Sequence, residues 1–197
     1  MGEVPHCVGV GAYDPAVTQS LDAPEPLHKN AAAVQSALDS LGVLGRVRAL
    51  PEPAPSAATA AAQLGVDVGA IANSLLFAAI PAASSASTVA PHEVPSTAVP
   101  LLVMTSGSHR VNTSWVAAEH GFTSLKRADP DFVRTHTGQP IGGVAPLGHP
   151  SQVRTLVDTA LADHLVIWAA GGHPHYVFPT TFKELLRITD GTPAQVV

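Results

Sequence analysis

The chain has 197 residues, of which 46% are apolar and 13% charged, so it can bury a sizeable core without disulfides or a structural metal. Its net charge is −5; the first hundred residues hold three basic and eight acidic groups, and the rest hold seven of each. That balance excludes a protein that neutralises many phosphates of a DNA duplex, but not one that grips a short nucleic-acid end, which needs few cations.

A single cysteine, Cys7, excludes an internal disulfide and a Cys-based zinc site. It points to a reduced, cytoplasmic setting. No basic segment followed by an apolar run opens the chain, so no secretory signal is expected. The longest stretch without Asp, Glu, Lys or Arg, Val68 to His92, contains Asn73, Ser74, Pro81 and three further serines, so no membrane span is expected.

Residues 1–26, with Pro5, Pro15, Pro24 and Pro26, are expected to form a partly ordered extension, and 27–197 a single domain. Gly9 and Gly11 begin a dinucleotide fingerprint, but Asp14 stands where its third glycine belongs. Leu27, Ala31, Val34, Leu38 and Leu41 recur at helical spacing, and Gly42 stops the helix. Residues 46–50 alternate as a short strand. Thr59 is the expected cap of an Ala-rich helix ending at Gly65. A buried strand is expected from about Ser74 to Ala79 and its partner over Val99–Thr105, joined by a flexible connection at 81–98. Asn112 or Thr113 caps a helix through His120, and another helix covers 130–136. Strands are expected at 141–145, 156–159, 165–169 and 175–178, then a helix at 181–188 capped by Thr180 or Thr181. Short strands mixed with helices, without strict alternation, predict an α+β fold. Its sheet would be mixed and strongly twisted, or a partial barrel, flanked by helices.

Three segments carry candidate chemistry. Asn73 and Ser74 place two polar side chains at the mouth of a buried strand; a capping role is the plainer explanation. Gly142-Gly143-Val144-Ala145-Pro146, with Gly138 upstream, lets backbone N–H groups approach a ligand, as an oxyanion site requires. A tight bend would need the same glycines. Gly107, Ser108 and Arg110, in the loop Ser106–Arg110, offer N–H groups and a guanidinium to a phosphate, or form an ordinary connection. His173 and His175, two apart, would share a face of a strand with His149 nearby. No metal-binding spacing such as H-E-x-x-H accompanies them, so no metal site is expected. No G-x-S-x-G occurs, and Cys7 has no evident His partner.

The order of these segments from Leu27 onward resembles the YbaK/EbsC-type aminoacyl-tRNA deacylases, similar to the editing domain inserted in bacterial prolyl-tRNA synthetases. The resemblance is carried by Thr59–Gly65, IANSLLF at 71–77, the loop at 105–111, THTGQPIGGVAPLGHP at 135–150 and VIWAAGGHPHYVFPTTFKELLRITDG at 166–191. It implies a YbaK-like fold and hydrolysis, without metal or organic cofactor, of the ester on a mischarged tRNA. The partner it implies is an acceptor end carrying a small amino acid. It also implies catalytic positions at Asn73, Gly142 and Gly143, and substrate contacts from Ser74, Gly107, Ser108, Arg110, Val144, Ala145, Pro146 and His149. Arg110, Lys126, Arg127 and Arg134 are candidate contacts to the acceptor end. Family members carry Lys-Ser-Leu or Lys-Thr-Leu where this chain has Asn73-Ser74-Leu75. An amide cannot hold an anion by charge, so a non-catalytic module binding an aminoacyl group or nucleotide is the alternative.

Overall fold

The computed structural model describes residues 26–82 and 97–197. The expected extension, Pro26 apart, and most of the 81–98 connection lie outside these residues, as does Cys7. In chain order the elements are α1 (Lys29–Ser40), β1 (Arg48–Ala49), α2 (Ala57–Leu64), β2 (Ile71–Pro81), β3 (Val99–Ser106), α3 (Thr113–Glu119), β4 (Phe122–Arg127), α4 (Pro130–Thr137), β5 (Arg154–Asp158), β6 (Ile167–Ala170), β7 (Tyr176–Thr180), α5 (Phe182–Thr189) and β8 (Thr192–Ala194). Short 3-10 turns precede β2 and follow β5.

The helices begin where side chains satisfy their first N–H groups. Asn112, Asp129 and Thr181 cap α3, α4 and α5. α2 is capped by Ser56 rather than Thr59, whose own N–H is the group Ser56 receives. α1 buries Ala31, Val34 and Leu38 completely, the stripe its spacing predicts.

The strands form one mixed, open sheet in the order β1-β7-β6-β2-β3-β5-β8, with β4 also paired to β2. β2 pairs antiparallel with β3 and β4 and parallel with β6, while β5 runs parallel to both β3 and β8. Period-two alternation divides the core between the two faces. Ala72, Leu76, Leu102 and Met104 join the large cluster under α1, α4 and α5. Phe77, Ala79, Leu101 and Val103 face the cluster containing Val116 and Ala117 of α3. Ile71, Trp168 and Val177 face α2.

One edge of β2 is split. β3 occupies the other edge from Ala72 to Ala79. β6 and β4 must therefore share the remaining one: β6 pairs at Ile71 and Ala72, β4 from Phe77 to Pro81. Between them, Asn73 to Leu76 pair with no strand on that side among the described residues. The Ile71 carbonyl accepts the Gly107 N–H at 2.8 Å, so Ile71 directs its backbone groups toward the β3 side. Directions alternate along an antiparallel strand, which turns the Ser74 N–H and C=O into the gap.

Two sequence expectations need correction. Residues 141–145 are an irregular loop, not a strand: Gly142 has φ +84°, and local groups take the Gly143 and Ala145 N–H donors. His173 and His175 lie on the turn between β6 and β7, so they do not share a strand face.

Candidate active site

The 139–149 loop covers the split in the sheet. A cavity of about 70 Å³ lies on one side, lined by Asn73, Ser74, Gly142, Val144, Trp168, Pro174 and Tyr176 together with the start of α2. A more apolar one of about 280 Å³ lies on the other, lined by Phe77, Arg127, Val133 and Ile141 among others. Ser74, Gly142 and Val144 line both, so the two cavities share a wall.

The backbone of this wall sets its chemistry. The Gly143 N–H donates to Pro140 O at 3.1 Å, and the Ala145 N–H to Gln139 Oε1 at 2.6 Å. The N–H groups of Gly142 and Val144 have no hydrogen-bond partner among the described residues. For Val144, only 5% exposed, that is an uncommon state for a buried amide. Two donors two residues apart are thus left open where the chain lines a cavity.

The glycine pair has two separate reasons. Gly142 holds a left-handed conformation that a side chain would strain. Gly143 is pressed on the β6–β7 turn, and a Cβ there would sit 2.4–2.5 Å from the His173 and Pro174 backbone. The second glycine is therefore required by a close approach of two chain segments, not by a ligand.

Ala145 is clamped from both sides. Gln139, 4% exposed, takes its N–H and also donates to the Leu147 carbonyl at 3.3 Å. His149 Nε2 lies 2.8 Å from the Ala145 carbonyl. Burial lowers the His149 pKa, an effect the hydrogen bond to Ala145 only partly offsets, so the neutral ring donates its Nε2 proton to that carbonyl.

Asn73 is half-buried on the α2 side of the sheet, and its amide has no partner among the described residues. The Ser74 hydroxyl donates instead to Met104 Sδ at 3.3 Å. None of the residues lining the smaller cavity is Asp, Glu, His, Lys, Arg or Cys.

The other residues singled out in the sequence lie elsewhere. Gly107 packs on Val68 O and Ala57, and the Ser108 hydroxyl pairs with Ser106 Oγ at 2.8 Å. Arg110 is exposed, and neither cavity includes it. The same loop carries His109, whose Nδ1 sits 2.8 Å from Asp158 Oδ2; that buried carboxylate also accepts the Ser106 N–H at 3.0 Å. These bonds anchor the loop to β5, away from the split. Pro146 and His149 line a separate cavity bordered by α1 and α5. Lys126 and Arg134 line neither cavity of the split, whereas Arg127 lines the larger. Among the described residues no group of three or more His, Cys, Asp or Glu is placed to hold a metal ion, and no helix is long and apolar enough to cross a membrane.

Sequence reasoning did not single out Trp168, Pro174, Tyr176 or Gln139. The signal was present only as aromatic and polar residues inside segments 135–150 and 166–191. Nothing in their spacing shows that the two segments meet through Gly143.

Residues 51–188 match the model of the aminoacyl-tRNA editing domain, and the chain belongs to that family. A solved structure of a proposed trans-editing enzyme for prolyl tRNA synthetase is 32% identical, over 87% of this chain and 98% of that one, with a TM-score of 0.71. A chain solved for epitope backbone grafting by computational design is 31% identical over 86% and 98%, with a TM-score of 0.72. A hypothetical protein, 23% identical over 83% and 98%, shares the fold with a TM-score of 0.69. The substrate this family membership defines is tRNA.

Proposed function

We propose that the protein is a deacylase that hydrolyses the ester joining a small amino acid to the 3′ end of a mischarged tRNA. The observation that supports this most is that Val144, a buried residue of the cavity wall, has no partner for its N–H among the described residues, two residues from Gly142, whose N–H is likewise open. As water attacks the ester, directly or relayed by a terminal ribose hydroxyl, the carbonyl oxygen gains charge. Donors already fixed at that point stabilise it, each by about 3 kcal/mol in the transition state. The aminoacyl ester is activated, so a side-chain nucleophile is not needed. With no carboxylate or imidazole lining this cavity among the described residues, the proton passes to solvent or to the substrate's own hydroxyl. Asn73 would orient that hydroxyl or the attacking water by hydrogen bonds, because an amide does not titrate near neutral pH.

Size would set selectivity. The cavity of about 70 Å³ is the smaller of the two at the split, and Ala, Gly, Val and Pro residues form much of its wall. Small side chains enter and larger cognate ones are refused, the logic of a second sieve. A tRNA substrate supports a cytoplasmic setting, and these steps call on no metal or organic cofactor.

Asn73 also supports a second reading, a non-catalytic module that binds the aminoacyl end, since the family's lysine charge is missing. A panel of mischarged tRNAs, including alanyl- and cysteinyl-tRNA specific for proline, separates the two. Turnover unaffected by chelator is expected. Saturable binding with no turnover across the panel would establish the module instead.

A further inference from the structure

Asn73 and Trp168 share one face of the sheet. β2 and β6 run parallel, with Ile71 opposite Trp168 and Ala72 opposite Ala169. Asn73, two residues past Ile71, is therefore a diagonal neighbour of Trp168 on the α2 side, close enough for an aromatic side chain to reach across. Both residues line the smaller cavity, together with Gly142 and Val144.

Trp168 is only 7% exposed, and the Arg48 guanidinium lies 4.0 Å over its ring, which holds the indole in place. A buried indole N–H ordinarily has a partner. That of Trp168 has none among the described residues. No side-chain nitrogen or oxygen that lacks a partner is sealed from solvent among those residues. The Trp168 Nε1–H is therefore accessible, on a ring that lines the cavity. The half-buried Asn73 amide is in the same state. Other polar side chains of this wall are engaged: Ser56 Oγ with the Thr59 N–H and hydroxyl, Ser74 with Met104 Sδ, and the Tyr176 hydroxyl with the His28 N–H.

The two open groups define what satisfies them. An indole N–H only donates, whereas an amide also accepts. A hydroxyl between them donates to Asn73 Oδ1 and accepts from Trp168 Nε1–H, so both are satisfied at once. A methyl group leaves both unpaired, and a thiol is a weak donor and a weak acceptor. An ammonium cannot accept from the indole. A carboxylate would be desolvated in a cavity that no Lys, Arg or His lines.

We propose that Asn73 and Trp168 form a hydroxyl-recognising pair, so that the side chain this cavity selects is that of serine. The proposal rests on the editing reading of the cavity, in which the Gly142 and Val144 N–H groups take the ester carbonyl, and it specifies the amino acid removed. Asn73 Nδ2 stays available to the attacking water or the ribose hydroxyl.

The test charges one tRNA specific for proline with serine, alanine or cysteine in turn, so that only the side chain differs, and measures kcat/KM for deacylation. In parallel, amide-linked seryl and alanyl analogues of the acceptor end, which resist hydrolysis, are titrated against the full chain while the indole N–H signals are followed by NMR. The chain has two tryptophans; Trp168→Phe identifies the Trp168 signal, and Trp115 on α3 serves as the control. Serine should exceed alanine about tenfold or more, the effect of two positioned hydrogen bonds, with cysteine between them. Trp168→Phe keeps a ring beneath Arg48 and deletes the donor; Asn73→Ala deletes the acceptor. Each should reduce the serine-to-alanine ratio about fivefold. The seryl analogue should move the Trp168 N–H signal further downfield than the alanyl one. Equal turnover of serine and alanine, or a ratio that either variant leaves unchanged, overturns the pair and leaves the editing reading standing. No turnover of any ester, with the seryl analogue still bound in preference and that preference lost in Trp168→Phe, overturns the editing reading and leaves the pair standing. No turnover without such a preference overturns both.

Discussion

Along one edge of β2, eight consecutive residues from Ala72 to Ala79 pair with β3, and the partners Leu101, Leu102, Val103 and Met104 are fully buried. Along the other edge, β6 takes two residues, β4 takes five, and Asn73 to Leu76 have no strand beside them among the described residues. The first edge satisfies its backbone internally and surrounds it with aliphatic side chains, which leaves nothing for a ligand to bind. The second leaves the Ser74 backbone directed at a gap, covered by a loop that itself leaves two N–H groups open. Unsatisfied backbone polar groups cost stability when buried. A fold can keep them where the paired edge supplies the stability and a ligand supplies the missing partners.

The paired edge should give the largest stability effect and the smallest functional one. Leu102→Ala removes a fully buried side chain of the main core and should cost about 2–5 kcal/mol. A melting curve and a denaturant titration measure that loss. Deacylation per folded molecule should remain at the wild-type level, and a large drop would mean that the two edges are not independent.

Gly143→Ala tests the split edge. The new Cβ meets the His173 and Pro174 backbone at 2.4–2.5 Å, with no flexible side chain to yield. The loop must lift away from the β6–β7 turn and carry the Gly142 and Val144 donors with it. A fall in kcat of about a hundredfold, the usual cost of one displaced oxyanion donor, is expected in single-turnover assays. A variant that melts early but keeps wild-type kcat in its folded fraction would remove these donors from the chemistry.

The paired edge was largely legible in the sequence and the split edge was not, for a physical reason. Helix starts depend on local caps, so the sequence narrows them to Asn112 or Thr113 for α3 and Thr180 or Thr181 for α5, of which the structure uses Asn112 and Thr181, and aliphatic runs mark β2 and β3. The run Ile141–Ala145 is equally apolar and reads as a strand. It is an irregular loop because Gln139 and Pro140 take two of its N–H groups and Gly143 is pressed on a turn thirty residues away. β4 passed unnoticed because Phe122–Arg127 carries two buried side chains among six, Phe122 and Leu125, a weak periodic signal. The polar stretch at Asn73-Ser74 was visible, but the unpaired edge beside it exists only once β6 and β4 are in place.

Gln139→Leu should act on the same loop more gently. It leaves the Ala145 N–H and the Leu147 carbonyl without partners, at about 1–3 kcal/mol for each buried group. Looser placement of the two donors should lower kcat and leave KM near the wild-type value. Gln139→Glu keeps an acceptor for the Ala145 N–H and should recover part of kcat. Equal kcat in all three proteins, once corrected for the folded fraction, would show that the clamp is structural only.

The smallest effect is expected at Asn73, where the split edge departs from the family's lysine. Its amide faces the smaller cavity with no partner among the described residues, so removing it breaks nothing in the free protein. Asn73→Ala should therefore leave the melting temperature nearly unchanged. It should lower kcat/KM by the loss of one positioned hydrogen bond to substrate or water, about 1 kcal/mol or roughly fivefold. Asn73→Lys places a charge among lining residues that include no carboxylate. An anionic group on the substrate is then its only nearby counter-charge. If one is within reach, the lysine variant should gain activity towards the family's substrate. If none is, the partly desolvated ammonium should lower stability and gain nothing. A melting temperature lowered by Asn73→Ala, with activity per folded molecule unchanged, would reduce Asn73 to a structural residue. Gly142 and Val144 would then be the remaining determinants at the split.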